Sequence, residues 1–465
     1  MSQTLIEQNP LYDTFPVGQD VIFTVSNSSV VSTFTKVKFI AEVHISSVLP
    51  PNVSTSDDLV GTFKTTPNNA GVGMFDFRPI IESFVKADNL AREGSAYKTV
   101  VNTSDSNVPI HLIDKYSGNL NIMRYLAIQF KVEYIDLLGD FQTGQAVNSD
   151  IYRVFNGYLK YTDVQDINAS GNFGFNTGIF QLGGGASGNQ FLSNAPLTQY
   201  ANINDYGTVS FMATPLSGSV ATTIDHFNIT LVNTSGGSSV ITIDNLDANG
   251  GNTTWNAATY NQLLHLGCFP ANLKNWSSAF LAAIPTLDYY FVQAFNASNS
   301  SMSDRITISI NCPTLKGYEP IRLCWLNQWG AWDYYTFTQK STKMISTKGS
   351  TYQQLEGTWN KSTYKIDSFK GGKKAFRVNA TEKIKMNTDF VSESESEWFE
   401  ELINSPEVYI LEGFQTDASN SALNKYVTPV RLTTSSYTKK TVANDKLMQY
   451  TFEVEKSKTL RTQSV

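Results

Sequence analysis

Four histidines are the residues best suited to acid–base or metal chemistry, and none stands at a spacing that would build a site. They are His44, His111, His226 and His265. A zinc site needs several Cys or His ligands close together, and a general base needs a group that orients it. Asp225 directly precedes His226, but adjacent pairs of this kind arise by chance. We therefore interpret the histidines as structural.

The glycines and carboxylates give no stronger indication of chemistry. Segment 183–188 is glycine-rich but lacks the Lys-Ser/Thr pair of a phosphate-binding loop, and no Gly-x-Ser-x-Gly elbow occurs. Residues 244–250 loosely resemble a calcium loop, although the Glu that would complete it is absent. A glycosidase needs two carboxylates close together in space, and the sequence does not show which carboxylates are close. We predict no catalytic residue, no metal and no cofactor, with calcium at 244–250 as an alternative.

Tryptophan and tyrosine side chains form the other candidate group. Trp255 and Trp276 lie in the middle of the chain. Such rings could stack on sugars, or they could fill a core, which the large area that Trp buries favours. A second group lies along a strand–turn–strand segment, which we call the aromatic turn, and consists of Trp325, Trp329, Trp332, Tyr334 and Tyr335. These rings could pack against a neighbouring copy, because aromatics are enriched in interface cores, or they could plug their own domain.

The composition favours sheets and argues against several function classes. Charged residues make up 16% of the chain, below the usual quarter, while 22 Tyr and 28 Phe suit strands. The net charge of −6 argues against direct nucleic-acid binding by the whole chain, although lysine is concentrated in the last 150 residues. Cys268, Cys312 and Cys324 are too few for a disulfide framework, which favours synthesis in a reducing compartment. No signal segment and no membrane span are predicted.

Hydrophobic periodicity predicts three β-rich regions: 1–165, a Ser/Asn/Gly-rich region 166–315, and 316–465. The clearest strand has Val37, Phe39, Ala41, Val43 and Ile45 on one face, with Lys38, Glu42, His44 and Ser46 on the other. The fold class is predicted as mainly β, with antiparallel β-sandwich modules and a few short helices.

Three short helices and several turns complete this prediction. Pro79 suits the first turn of a helix within 75–85, and apolar residues suggest another at 258–266. Ser394 is predicted to cap a helix that ends before Pro406. Asn27, Ser28 and Ser29 are expected to form a loop, and 375–380 and 383–387 two separate strands.

Residues 318–337, with the sequence YEPIRLCWLNQWGAWDYYTF, resemble a signature of virion proteins of tailed bacteriophages that infect Bacteroidetes and marine hosts. Residues 75–84 (FDFRPIIESF) are similar to another recurring piece of these proteins. So is the ending, where WFEELINSP at 398–406 leads to Thr428-Pro429-Val430 and NDKLMQY at 444–450. The resemblance covers the C-terminal third well, the first 165 residues loosely and the middle region not at all.

The resemblance implies a structural component of the tail, baseplate or neck ring, made in the host cytoplasm and found in the virion. Its partners would be copies of itself in a symmetric ring or tube, and other virion proteins. The family supplies no catalytic residues, so no enzyme activity is expected. The alternative is a carbohydrate-binding surface or fibre protein with a lectin-like middle domain that contacts host glycan. A glycan depolymerase is a third hypothesis.

Overall fold

The computed structural model describes most of the chain. Residues outside the description are 1–2, 48–49, 88, 91–108, 120, 183–188, 213–223, 245–262, 311–316, 412–426, 437, 439–447, 459 and 462–465. The structure is 48% strand and 13% helix, which confirms the mainly β class with antiparallel sheets and short helices.

The described residues divide into two compact units. The first unit holds those within 1–311 and 326–334, and the second those within 312–325, 335–415 and 422–465. Regions 1–165 and 166–315, predicted as separate domains, thus fall almost entirely within the first unit.

Two sheets at the start of the first unit share one hydrophobic core. The smaller sheet has the order β1 (Leu5–Gln8), β3 (Ile22–Ser26), β6 (Val72–Asp76). The larger has the order β2 (Thr14–Gly18), β11 (Tyr152–Tyr158), β8 (Met123–Ile135), β4 (Thr35–Ser46), β5 (Leu59–Thr65), with β9 (Phe141–Thr143) and β10 (Val147–Asn148) also on β8. The Phe23 ring of the small sheet lies 5.6 Å from Phe130 of the large one. The aromatic contact joins the two sheets as a sandwich.

Strand β4 confirms the predicted alternation, with Val37, Phe39, Ala41, Val43 and Ile45 all buried. His44, predicted to face outwards, is also buried, so the second face of this strand is partly covered too.

The predicted loop at Asn27 is instead the start of helix α1 (Ser28–Thr33), because the Asn27 side chain accepts a hydrogen bond from Val30 N at 3.2 Å. Strand β6 continues through Asp76, and the helix predicted over 75–85 is confined to α2 (Arg78–Ile81), with proline in its first turn.

Two further sheets complete the first unit. One has the order β14 (Thr198–Ala201), β20 (Ile306–Ile310), β19 (Leu287–Phe295), β16 (His226–Asn233), β17 (Ser238–Asp244). The other has the order β15 (Thr208–Met212), β18 (Leu263–Gly267), β7 (Tyr116–Asn119). A two-stranded sheet pairs β12 (Asp166–Ile167) with β13 (Phe173–Gly174). The α-helices here are α3 (Pro270–Trp276) and α4 (Ser278–Ala283). Single 3-10 turns lie at Ile110–Leu112, Thr177–Phe180 and Ile284–Thr286.

Strand β18 corrects the helix predicted over 258–266. All five of its residues are buried, so the run shows neither helical nor strand periodicity. Short apolar runs of this kind are compatible with either a helix or a strand. The pairing with β15 and β7 makes it the central strand of its sheet. Residues 258–262 lie outside the described residues.

Over its described residues, the second unit is built on one sheet and one helix. The sheet order is β22 (Trp332–Phe337), β21 (Ile321–Leu326), β25 (Val408–Leu411), β26 (Val427–Leu432), β27 (Thr451–Lys456), β24 (Gly372–Asn387), β23 (Thr342–Gln354), with β28 (Leu460–Arg461) also on β24. The two strands predicted at 375–380 and 383–387 are thus one continuous strand, β24.

Helix α5 (Glu393–Asn404) begins two residues earlier than predicted. Its N-cap is Ser392, which forms a capping box with Glu395: the Ser392 amide donates to the carboxylate at 2.7 Å. Ser394 and Glu397 offer the same Ser-x-x-Glu spacing, so the sequence does not distinguish the two caps. The helix buries Trp398, whose ring lies 4.8 Å from Trp325.

Candidate interaction surface

A long antiparallel hairpin, which we call the hairpin arm (residues 342–387), is the most exposed regular part of the second unit. Its two strands pair from Thr342↔Lys385 to Gln354↔Gly372. The first ten residues of β23 and the first six of β24 are all exposed. Thirteen residues in a strand span roughly 40 Å. The arm is therefore long enough to reach well beyond a single sheet edge.

Within the described ranges, only the base of the arm has further strand neighbours. Strand β27 pairs with β24 over Lys383–Asn387, and β28 pairs with it at Asn379 and Ala380. From 349 to 378, the described structure is a two-stranded ribbon closed by a tip (residues 355–371). A two-stranded hairpin on its own is marginally stable in water, so this ribbon gains from a covering partner.

Large apolar side chains cover this exposed hairpin. Eight of them are each between 50% and 75% exposed: Met344, Ile345, Leu355, Trp359, Tyr364, Ile366, Phe369 and Phe376. If roughly 100 Å² is open on each, they offer on the order of 800 Å², which is one partner's share of a standard protein–protein interface. Met344 and Ile345 are consecutive in β23, so this apolar area is shared between the two faces of the ribbon. Exposed apolar area on this scale favours an interaction site.

The arm also carries a strong positive charge. Residues 342–387 contain ten basic and three acidic side chains, a formal charge of +7 in a chain of net charge −6. The Lys343 amine pairs with Glu319 at 2.8 Å, and that of Lys370 with Asp367 at 3.2 Å. Within the described part of the chain, seven basic side chains of the arm form no ion pair: Lys348, Lys361, Lys365, Lys373, Lys374, Arg377 and Lys385. The surface therefore suits an acidic partner.

The tip of the arm has a defined conformation. The Tyr364 hydroxyl donates to the carbonyl of Glu356 at 2.8 Å, and the Thr358 amide donates to the carbonyl of Lys365 at 3.0 Å. Gly357 has φ +71°, and a Cβ there would stand 2.3 Å from the Lys365 carbonyl oxygen. These contacts fix the tip, which lowers the entropy lost when it binds.

The predicted aromatic turn has a different environment from the arm. The Asn327 side-chain oxygen accepts from the amides of Trp329 and Ala331, both at 3.0 Å. Gly330 has φ +70°, and its Cα approaches the Asn156 backbone so closely that a Cβ would stand 1.7 Å from the Asn156 carbonyl oxygen. The turn is therefore closed by its own asparagine and held against another backbone segment of the first unit.

Three rings of this turn are buried in the first unit. The Trp329 ring centroid lies 4.7 Å from that of Phe180, and its indole N–H donates to the Asn194 side chain at 3.1 Å. Trp332 meets the His111 ring edge-on at 5.0 Å. The Tyr334 hydroxyl lies 2.8 Å from His111 Nδ1 and 2.9 Å from Thr208 Oγ1.

The other two rings lie within the second unit. Trp325 is fully buried against Trp398, and the Tyr335 ring meets that of Phe399 edge-on, with the ring centroids 4.8 Å apart. Burial, followed by the charge of Glu395, raises the pKa of the Tyr335 hydroxyl. Of the five rings predicted as interface residues, Tyr335 is half-buried and the other four are buried: Trp325, Trp329, Trp332 and Tyr334. This burial favours the alternative in which the turn plugs its own domain over packing against a neighbouring copy.

The residues proposed for glycan or calcium binding are only partly described. Trp255 and 245–250 lie outside the described residues. Trp276 is half-buried, and the Lys115 amine lies 4.8 Å from its ring centroid.

One buried pair has the elements of a nucleophile and its base. The Ser210 hydroxyl lies 2.7 Å from His265 Nδ1. Burial lowers the pKa of His265 to about 3. Both side chains lie in the interior, on the paired strands β15 and β18, where a substrate has no access. We interpret the pair as a structural hydrogen bond of the core. Over the described ranges, no group of three or more His, Cys, Asp and Glu side chains could hold a metal ion.

The hairpin arm was missed by sequence reasoning. A strand with one buried face alternates in hydrophobicity, but β23 is exposed on both faces and shows no such pattern. The usable signal was the excess of lysine in the last 150 residues. Read together with the exposed aromatics at 352–376, it would have indicated a basic, apolar surface.

Comparisons with known proteins give no family for this chain. No protein-family model and no curated protein matches it. Among solved structures, the native conformation of E. coli alpha-2-macroglobulin matches with a TM-score of 0.18 and 6% identity, over 82% of this chain and 21% of that chain. The chain thus spans about a fifth of that protein's length, and a likeness at this score carries no argument. No described helix is long and apolar enough to cross a membrane.

Proposed function

We propose that this chain is a structural component of a tailed-phage virion, in the tail, baseplate or neck ring, and that it acts by oligomeric assembly without catalysis. It would be made in the host cytoplasm and reside in the particle. The observation that carries the assembly part is the hairpin arm, whose apolar and basic side chains stand exposed on a two-stranded ribbon.

An isolated two-stranded ribbon lacks a surface that covers its exposed apolar side chains. Burying about 800 Å² of apolar surface favours association by roughly 25 cal/mol per Å² before the entropy of association is subtracted. A protein partner supplies that burial. A small-molecule ligand would need a concave pocket, whereas the arm is a projecting two-stranded element.

The phage part of the proposal is supported by the resemblance of residues 318–337 to virion proteins. In the structure this stretch includes β21, the aromatic turn and β22, and most of its rings are buried. The recurrent segment is thus a piece of the folded core, and assembly in this proposal falls to the arm.

Electron microscopy of the purified full-length chain tests the proposal. We expect closed rings or short tubes whose population grows with protein concentration. A matched variant, Trp359→Ser with Ile366→Ser and Phe369→Ser, removes three exposed apolar groups from the tip and should reduce assembly. A chain that stays monomeric at high concentration, alone and with the products of neighbouring genes, would contradict the proposal.

A further inference from the structure

The partner of the arm can be inferred from the distribution of charge within this same chain, an inference that rests on the proposed assembly. Since the arm holds +7 and the whole chain −6, the remainder carries −13. Opposite charges on two surfaces of one protein favour contact between copies and disfavour like-with-like contact. The arm of one copy is thus matched to a surface of another.

The second unit contains an acidic surface of the right kind. Glu393, Glu397 and Glu400 follow one face of α5 at positions i, i+4 and i+7. Glu393 and Glu397 are exposed, and neither forms an ion pair within the described part of the chain. The last turn of α5 carries no basic residue. Like charges four residues apart destabilise a helix slightly, so a cation from elsewhere would relieve the repulsion.

An exposed apolar group accompanies these carboxylates. Phe390, three residues before the helix, is 60% exposed. The acidic face of α5 and Phe390 together therefore repeat, with opposite charge, the combination of apolar and charged side chains found on the arm.

We propose that the hairpin arm of one copy docks on helix α5 of a second copy. In this contact Lys374 and Arg377, whose cross-strand partners Tyr352 and Ser350 share one face of the ribbon, face the carboxylates of Glu393 and Glu397. Lys373, on the other face, adds to the local positive charge, while the apolar side chains of the tip supply the buried area. The two surfaces are different, so the contact is heterologous. Repetition of a heterologous contact closes a ring or extends a tube.

A nucleic acid is the other partner that a basic, aromatic hairpin could take, because bases stack on exposed rings. Four of the eight exposed apolar side chains are not aromatic: Met344, Ile345, Leu355 and Ile366. Aliphatic groups bury well against protein and offer no stacking platform to a base. The mixture of side chains therefore favours a protein surface.

Charge exchange between the two surfaces tests the inference. The arm variant carries Lys373→Glu, Lys374→Glu and Arg377→Glu, and the helix variant carries Glu393→Lys and Glu397→Lys. Association is measured by sedimentation velocity over a range of concentration and salt. We expect each variant alone to associate at least about tenfold more weakly than the natural chain. An equimolar mixture should recover association, because each arm then meets a helix of opposite charge.

Two controls make the result specific. Lys458→Glu reverses an exposed lysine outside the arm and should leave association unchanged. Lys373→Arg with Lys374→Arg keeps the charge and should do the same. Circular dichroism verifies that α5 still forms in the helix variant.

The possible failures are distinguishable. If the natural chain assembles and neither variant weakens assembly, the inference falls and the proposed function stands. If both variants weaken assembly but the mixture does not recover it, the arm does not meet α5. If the arm variant loses binding of a fluorescent single-stranded oligonucleotide while assembly is unchanged, the partner is nucleic acid. A natural chain that remains monomeric removes both proposals.

Discussion

Two tryptophans of the second unit lie in opposite environments, so their replacement by alanine should have opposite consequences. Trp325 is 0% exposed and packs against Trp398, whereas Trp359 at the tip of the arm is 73% exposed. Trp325→Ala removes a buried ring and leaves a cavity, which costs about 3–5 kcal/mol. Trp359→Ala changes the free energy of unfolding by less than about 0.5 kcal/mol. Assembly should respond in the reverse order, because only Trp359 offers area to a partner.

Urea unfolding of the full chain, followed by circular dichroism, measures the difference. At a slope of about 1–3 kcal/mol per M, the Trp325→Ala loss lowers the urea midpoint of the second unit by roughly 1 M or more. Trp325→Phe is the matched control, because it keeps a ring and removes a buried indole N–H that has no hydrogen-bond partner among the described residues. Its loss should be clearly smaller. Equal losses for Trp325→Ala and Trp359→Ala, or a larger loss for the latter, would refute the burial argument.

Three further substitutions test the structure in other places. Burial raises the pKa of Asp114 to about 7. Between its usual pKa and pH 7, the carboxyl is ionised in the unfolded state but protonated in the folded state, so the free energy of unfolding falls as pH rises. Asp114→Asn should therefore raise the melting temperature at pH 7.5 and bring no gain at pH 4. Ser392→Ala removes the N-cap of α5 and should cost about 1 kcal/mol, whereas Ser394→Ala should cost less than about half of that; equal costs in thermal melts would place the cap elsewhere. Gly330→Ala sets a methyl group against the Asn156 carbonyl and should cost more than about 2 kcal/mol, whereas Gly139→Ala, also at positive φ but in open space, should cost about 1 kcal/mol; denaturant midpoints separate them.

Strands with one buried face were predictable from sequence, and strands of other kinds were not. Strand β4 alternates along its core face, and β20 does so with Ile306 and Ile308. Strand β18 is buried on both faces and β23 is exposed on both, so neither presents a period of two. Periodicity reports the difference between two faces, and it fails where the faces are alike.

Whether the aromatic turn packs against a partner or inside its own chain also could not be predicted from its residues. A turn rich in Trp and Tyr suits an interface as well as a core. What decides the question is the set of contacts that Phe180 and Asn194 make with Trp329, together with the hydrogen bond between His111 and Tyr334. These partners lie more than a hundred residues away along the chain, and no local pattern couples them.

Shortening the arm tests the central claim most directly. Lys348 and Asn379 are cross-strand partners, so residues 349–378 can be replaced by Asn-Gly to close a tight hairpin at the base of the arm. The molar mass of the natural and shortened chains is then measured by sedimentation velocity at matched concentrations, after circular dichroism has verified the fold. We predict that the natural chain forms an oligomer and that the shortened chain is a folded monomer. A shortened chain that forms the same oligomer would contradict the claim that this protein assembles through its hairpin arm.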